Sequence, residues 1–158
     1  MKITMLGTGN ALVTECYNTC FVLQDSGRYL LVDGGGGNTI LRRLKQADFN
    51  WMDMREIFVT HKHVDHLMGI VWMIRMICQY MRQGQYQGEA WIYGHDEVIA
   101  ILSELADKLL SSKDTRFIGK RLHMETVSDG EERLLLGRKT TFFDIRSTKA
   151  KQYGFCMD

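Results

Sequence analysis

The chain contains no proline, no long apolar run and no marked excess of charge of one sign. Average usage of about 5% would give roughly eight prolines in a chain of this size, and no function follows from their absence. No apolar stretch approaches the ~18 residues of a transmembrane helix. The N-terminal apolar stretch is too short and too interrupted by glycine for a signal peptide. We therefore expect a cytoplasmic protein without a membrane partner.

Cysteine is also sparse, and its spacing is uninformative about pairing. Cys16, Cys20, Cys78 and Cys156 include no CxxC pair, which favours free thiols in a reducing compartment over a disulfide framework. Lys and Arg total 20 against 19 for Asp and Glu, so the net charge is +1. Such a balance provides no broad basic surface for duplex nucleic acid and no attraction to an anionic membrane. The apolar share of 45% is ordinary for a globular protein and argues against a disordered chain.

A length of 158 residues corresponds to a single domain or to part of a larger one. Short β-rich runs alternate with helical patterns, and Asn38 and Asp96 are placed to cap two of the helices. The predicted strands are Lys2–Leu6, Cys20–Leu23, Arg28–Asp33, Glu56–Thr60, Ala90–Tyr93 and Thr140–Ile145, and the long helices are Leu67–Met81 and Val98–Leu110. The remainder, from Arg116 onward, is mostly β. This alternation predicts an α/β or layered α+β fold.

The candidate metal-binding residues are concentrated in one segment. Three of the five histidines fall within the run Thr60-His61-Lys62-His63-Val64-Asp65-His66, and we treat chance as the minor explanation. Side chains two apart on an extended segment point the same way, so His61, His63 and Asp65 are expected to project together. His66 follows as the chain turns into a helix. Imidazole and carboxylate ligands suit zinc, iron or manganese.

This run resembles the HxHxDH signature of the metallo-β-lactamase superfamily. Met5–Gly9 is similar to the superfamily's first strand and loop, and Leu31–Gly35 is similar to its third strand ending in Asp-Gly. The glycine-rich entry into the Asn38 helix and the stretch Tyr153–Phe155 resemble the ribonuclease Z branch, which processes the 3′ ends of tRNA. The resemblance implies the N-terminal portion of an αββα sandwich. Because it covers about the first half of the family's domain, we expect residues 1–158 to form a single, incomplete domain.

The resemblance also implies a ligand set. His61 and His63 would hold one metal ion and Asp65 and His66 a second, with two zinc ions in a complete domain and manganese or iron as alternatives. A metal-activated hydroxide would attack the substrate, with Asp65 as the catalytic residue that orients it or accepts its proton. Asp33 matches the aspartate that holds a ligand imidazole by a hydrogen bond.

The function implied by the resemblance is a metal-dependent hydrolase, phosphodiesterase or ribonuclease Z-like in its chemistry. The substrate would be a small-molecule or nucleic-acid phosphodiester, and a homo-oligomer is compatible with the pattern. The HxHxDH signature is specific for the superfamily and not for any one substrate.

Two departures from the family's pattern support an alternative. Arg146 stands where a third histidine is expected, and a guanidinium remains protonated at neutral pH. The family's bridging aspartate and last histidine have no counterpart in the 158 residues. The alternative is therefore a truncated or degenerate half-domain with little or no catalytic activity. Such a chain would also expose apolar side chains such as Phe142 and Ile145, which predicts marginal stability or self-association.

Other polar features have simpler explanations. A loop or cap role is favoured for His95, which is kept as a weak ligand candidate because it follows a strand. His123 is expected to be a half-buried surface residue. Gly34–Gly37 lacks the phosphate-loop lysine, so turns and close packing are favoured over phosphate binding. For Asp33, a turn role and support of a metal ligand are equally weighted.

Overall fold

The computed structural model describes residues 1–158 as two β-sheets with helices on one outer side. The strands are β1 (Lys2–Gly7), β2 (Cys20–Asp25), β3 (Arg28–Val32), β4 (Glu56–Val59), β5 (Ala90–Gly94), β6 (Leu122–Thr126), β7 (Glu132–Leu135), β8 (Arg138–Asp144) and β9 (Tyr153–Met157). The helices are α1 (Thr39–Gln46), α2 (Val64–Arg82), α3 (Asp96–Leu109) and α4 (Ser112–Thr115), with a 3-10 turn at Trp51–Asp53.

The larger sheet has six strands in the order β1-β2-β3-β4-β5-β6. Its first three strands are antiparallel, and β3 to β6 run parallel. A hairpin joins β2 to β3 through Ser26 and Gly27, whose φ values of 48° and 78° are those of a two-residue turn that matches strand twist. Because the parallel strands share one direction, the loops after β3, β4 and β5 meet at one edge of the sheet.

The helices cover one face of this sheet. A cluster of 25 buried residues lies between the sheet and the helices, and it includes the apolar stripe of α2, among them Ile70, Ile74 and Ile77. The spacing of these side chains at steps of three and four places them on one helical face, so the predicted long helices α2 and α3 are confirmed. None of the helices combines the length and the apolar character that a transmembrane span requires.

The second sheet, β7-β8-β9, packs on the opposite face of the first. Phe142 is fully buried there, with its ring 5.2 Å from the ring of Phe58. The expectation that Phe142 would be exposed is therefore wrong, because even three strands suffice to cover the centre of the larger sheet. The expected exposure of Ile145 is confirmed, because this side chain is 44% exposed and nearby Phe143 is 41% exposed.

Three helix starts differ from the sequence-based expectation. Asp96 is the first residue of α3 rather than its cap, and His95 occupies the N-cap position without a side-chain hydrogen bond to the helix. Asn38 does precede α1, but its side chain makes no capping bond. Helix α2 begins at Val64, so that the helix takes in the second half of the histidine run.

Candidate metal centre

The candidate centre lies where β3 and β4 end side by side. Val32 pairs with Phe58 in the parallel register, so Asp33 and Thr60 leave the sheet as neighbours. His61 continues the extended chain and pairs with Gln152, and His63 is the N-cap residue of α2. Asp65 therefore does not extend the strand, as its spacing suggested, but lies in the first turn of the helix. It still reaches the cluster, because α2 starts directly above the strand end.

Asp33 organises the cluster from a strained backbone position. Its φ of 59° lies in the left-handed region, which aspartate tolerates better than most residues. The side chain is only 4% exposed. Oδ1 accepts a hydrogen bond from the backbone N–H of Thr60 at 2.8 Å, and Oδ2 lies 2.8 Å from both Thr60 Oγ1 and His66 Nδ1. Both oxygens of this carboxylate are therefore engaged by protein donors.

The Thr60 hydroxyl decides which nitrogen of His61 carries a proton. Thr60 Oγ1 lies 2.8 Å from Asp33 Oδ2 and 2.9 Å from His61 Nδ1. The hydroxyl has one hydrogen, and the carboxylate can only accept, so His61 Nδ1–H must donate to Oγ1. The lone pair of His61 is consequently on Nε2. Burial, followed by the nearby His66, lowers the pKa of His61 to about 4, so its ring is neutral at pH 7.

His63 and His61 face each other through their ring nitrogens. His61 Nε2 lies 3.0 Å from His63 Nδ1. At this separation the two nitrogens either share one proton or direct both lone pairs at a cation between them. His61 is 6% exposed, whereas His63 is exposed at the mouth of the site. The pair is thus open to solvent on one side only.

His66 and Asp65 form a second pair beside the first. The His66 ring centroid lies 4.1 Å from that of His61, and His66 Nε2 lies 3.4 Å from Asp65 Oδ2. Since Nδ1 donates to Asp33, Nε2 is left to face Asp65. Burial alone would lower the pKa of His66, but the hydrogen bond and charge of Asp33, with the charge of Asp65, outweigh it and raise that pKa.

The donor set fits a divalent cation. Ligand atoms of Asp33, His61 and His66 lie within 4.8 Å of one another. The oxygens of Asp33 are already occupied by hydrogen bonds, whereas His61 Nε2, His63 Nδ1, His66 Nε2 and the carboxylate of Asp65 remain as candidate ligand atoms. Nitrogen ligands with one carboxylate are the set that zinc prefers, and a carboxylate behind a ligand imidazole is its usual support.

The glycine-rich loop brings these groups together by close packing, as the sequence predicted. Gly34 N–H donates to His66 O and Gly69 N–H donates to Gly35 O, each at 2.8 Å. A Cβ on Gly69 would lie 1.8 Å from Gly34 O, so no side chain fits there. The hydroxyl of Tyr17 lies 2.7 Å from Gly34 O and braces the loop from the other side. The loop therefore holds Asp33 against the first turns of α2.

The remaining sequence candidates lie outside this cluster. Arg146 is exposed between β8 and β9, with φ of 54°, and its side chain forms no hydrogen bond or ion pair. Its neighbour Ile145 donates to Gln152 O, the residue that pairs with His61. His95 is fully buried, and its ring nitrogens have no hydrogen-bond partner. His123 bonds Glu89 at the surface, as expected.

Sequence reasoning missed two residues that position the centre. A threonine hydroxyl is not an obvious metal ligand, and the bridging role of Thr60 between Asp33 and His61 depends on the tertiary pairing of β3 with β4. Gly69 lies inside an apolar helix stripe, and only its contact with Gly34 reveals why a side chain is excluded. A glycine within a long helical pattern was the one available signal.

Known proteins share this architecture. The metallo-beta-lactamase fold protein YhfI from Bacillus subtilis superposes with a TM-score of 0.75 at 17% identity, covering 99% of this chain and 58% of that one. Human tRNase Z, short form, gives 0.73 at 18% identity, covering 100% and 64%. These similarities establish the metallo-β-lactamase fold, so the α/β layered expectation is confirmed.

Sequence comparison points the same way. Ribonuclease Z of Methanosarcina acetivorans is 34% identical over 76 residues, which are 48% of this chain and 24% of that protein. The resemblance to the ribonuclease Z branch is therefore confirmed, although the chain spans about a quarter of the length of the curated relatives it matches. A more specific match runs the full length of the sequence. Residues 1–158 match the family model described as Anti-Pycsar protein Apyc1, and the chain belongs to that family.

Proposed function

We propose that this protein is a metal-dependent hydrolase that cleaves phosphodiester bonds. In this proposal His61 and His63 hold one zinc ion, and Asp65 and His66 hold a second, with manganese or iron as alternative metals. Asp33 supports His66 and, through Thr60, His61. One observation carries the proposal: ring nitrogens of three histidines and the carboxylate of Asp65 lie close together at the end of β4, while the buried carboxylate of Asp33 is satisfied by protein donors.

The side chains around the centre have separate roles in this proposal. Bound divalent ions would supply Lewis-acid stabilisation of negative charge on the phosphoryl group and would activate a water molecule. Asp33 and Thr60 hold His61 with its lone pair on Nε2, and Asp33 alone holds His66 in the same way. Asp65 Oδ2 is the nearest carboxylate oxygen to His66 Nε2, at 3.4 Å, and is placed to accept the proton of the attacking water.

The relatives favour a phosphorus-containing substrate. They include proteins named ribonuclease Z and a solved structure described as a diphosphatase from the PhnP family, with a TM-score of 0.75 at 16% identity. The family name describes action against Pycsar, and we propose phosphodiester hydrolysis as the underlying chemistry. The substrate is then a nucleic acid or a smaller phosphodiester.

A second candidate function is metal binding with little catalysis. The described donors supply two protein ligands to each ion, whereas catalytic zinc sites have three. Arg146, which the resemblance aligns with a third histidine, offers no ligand atom at neutral pH. This count favours a weakly loaded centre in residues 1–158.

Metal content and hydrolysis measured together test both candidates. The protein is loaded with zinc or manganese, the bound metal is measured by mass spectrometry, and turnover of bis(4-nitrophenyl) phosphate is followed. His61→Ala and Asp65→Asn are expected to abolish turnover and to lower bound metal. His123→Ala removes a histidine outside the centre and is expected to change neither. Metal binding without turnover would support the second candidate, and failure of the wild-type protein to bind either metal would overturn both.

A further inference from the structure

A separate cavity lies at the opposite edge of the larger sheet. It has a volume of about 310 Å³ and is lined by Gly27, Arg28, Tyr29, Asp53, Arg55, Glu56 and Trp91. Arg28 and Glu56 begin β3 and β4, and Glu56 pairs with Trp91 of β5, so the cavity lies at the N-terminal ends of the parallel strands. The candidate metal centre is at their C-terminal ends, four to five residues and about 13–17 Å away.

Two guanidinium groups line this cavity without a carboxylate partner. Neither Arg28 nor Arg55 forms an ion pair, although eleven other basic groups of the chain, counting the N-terminus and three histidines, do. Arg55 is held in place by the Tyr86 ring, 4.2 Å from its guanidinium carbon, and by a hydrogen bond to Gln87 O. Arginine presents a rigid fork of donors that matches a carboxylate or a phosphate.

The acidic residues of the lining offset these cations only in part. Glu56 Oε2 already accepts a hydrogen bond from the backbone N–H of Leu136 at 2.7 Å, and burial raises the pKa of this carboxyl by more than that hydrogen bond and the charge of Arg28 lower it. Asp53 is exposed on the 3-10 turn. A ligand anion at the two arginines would therefore meet one engaged carboxyl group and one solvated one.

Aromatic side chains form the rest of the wall, and each is braced from behind. The Trp91 ring stacks on His123 with a centroid separation of 5.2 Å and an interplanar angle of 20°. His123 is fixed in turn by Glu89, 2.6 Å from its Nε2. Tyr29 meets Phe49 edge to face at 5.4 Å. Rings held in this way lose little freedom when a planar ligand packs against them.

We propose that this cavity is a binding site for a small organic anion with a planar ring. The carboxylate or phosphate of the ligand contacts Arg28 and Arg55, and its ring packs on Trp91 and Tyr29. The volume is at the lower end of the ~300–1,000 Å³ typical of ligand pockets, which limits the occupant to a compound of about one ring system. The site is independent of the metal centre and of the hydrolase activity.

Phenyl phosphate and benzoate are the probes, with inorganic phosphate and benzyl alcohol as half-ligands. Binding is measured by calorimetry in the presence of EDTA, and the indole N–H resonances of the three tryptophans are followed by NMR. We expect both aromatic anions to bind at least tenfold more tightly than either half-ligand. The Trp91 resonance is expected to shift while those of Trp51 and Trp72 stay in place.

Substitutions inside and outside the cavity test where the aromatic anions bind. Arg28→Gln, at an exposed position that preserves folding, and Arg55→Gln are each expected to weaken binding at least tenfold. The matched control Arg42→Gln, on the surface of α1, and His63→Ala, in the metal centre, are expected to bind as wild type. Binding that persists in both Arg28→Gln and Arg55→Gln, binding that is lost in His63→Ala, or an unshifted Trp91 resonance would each overturn the proposal.

Discussion

Replacing Asp33 by asparagine tests how the centre sets the tautomers of its histidines. The amide can still accept from Thr60 N–H through Oδ1, but it places an NH₂ donor where Oδ2 accepted two hydrogen bonds. To accept from this amide, Thr60 Oγ1 must turn its hydrogen toward His61 Nδ1, and His66 Nδ1 must give up its proton. Both rings would then carry hydrogen on Nε2, the nitrogen that faces the centre.

The expected result is a loss of metal affinity with little loss of stability. Changes behind a metal-ligating histidine weaken binding by about 10–100-fold, and we expect zinc affinity in Asp33→Asn to fall within this range. Asp33→Ala should behave differently. It leaves a half-buried Thr60 donor unpaired, at about 1–3 kcal/mol, and puts alanine at a φ of 59°, at about 1–2 kcal/mol. A destabilisation of about 2–5 kcal/mol follows, a large part of the ~5–15 kcal/mol that holds a domain folded.

Competition with a chromophoric zinc chelator measures the affinity, and urea unfolding in EDTA measures the stability. Asp53→Asn, at an exposed aspartate far from the centre, is the matched control for both. Wild-type zinc affinity in Asp33→Asn would refute the tautomer reasoning. Equal stability of Asp33→Ala and wild type would show that the hydrogen bonds of Asp33 contribute nothing to folding.

Four further predictions concern the second sheet, its connecting segment and one buried acid. Arg146→His is expected to raise the amount of bound zinc, because it replaces a cation by an imidazole on the segment that pairs with His61 through Gln152. The control is Lys149→His in the same loop. Equal zinc content in the two variants would show that the alignment of Arg146 with a ligand position is wrong. Phe142→Ala should cost about 3–5 kcal/mol in urea unfolding, whereas Phe143→Ala, at a 41% exposed neighbour, should cost far less, and similar losses would contradict the assigned burial. The outward Leu134, Phe143 and Ile145 predict concentration-dependent self-association in size-exclusion chromatography, and a monomer at all concentrations would count against it. Burial raises the pKa of Glu56, so the folded protein loses stability when this carboxyl ionises as the pH rises, and loses none below the ordinary pKa of 4.5. Glu56→Gln should therefore melt at a higher temperature than wild type at pH 7, and the difference should vanish below pH 4.5. A difference that does not depend on pH would contradict this cause.

The sequence determined the local structure and the identity of the donors. Apolar periodicity predicted α2 and α3, because this pattern acts through residues that are neighbours in the chain. The spacing of the run from His61 to His66 identified a metal-binding pattern before any contact was known. Its resemblance to a superfamily signature identified the fold, but this signature is shared too widely to identify the Apyc1 family.

Only the tertiary structure decided how these donors are arranged and supported. Thr60 became a relay because β3 and β4 end side by side, and Asp33 became a support rather than a turn residue because its left-handed backbone aims both oxygens at the cluster. The start of α2 at Val64 moved Asp65 from the strand to the helix, which a two-residue periodicity could not anticipate. Burial of Phe142 depended on the small sheet packing over β4, a contact between residues 84 positions apart in the chain. Such contacts depend on how whole elements pack, and no local pattern in the sequence encodes that packing.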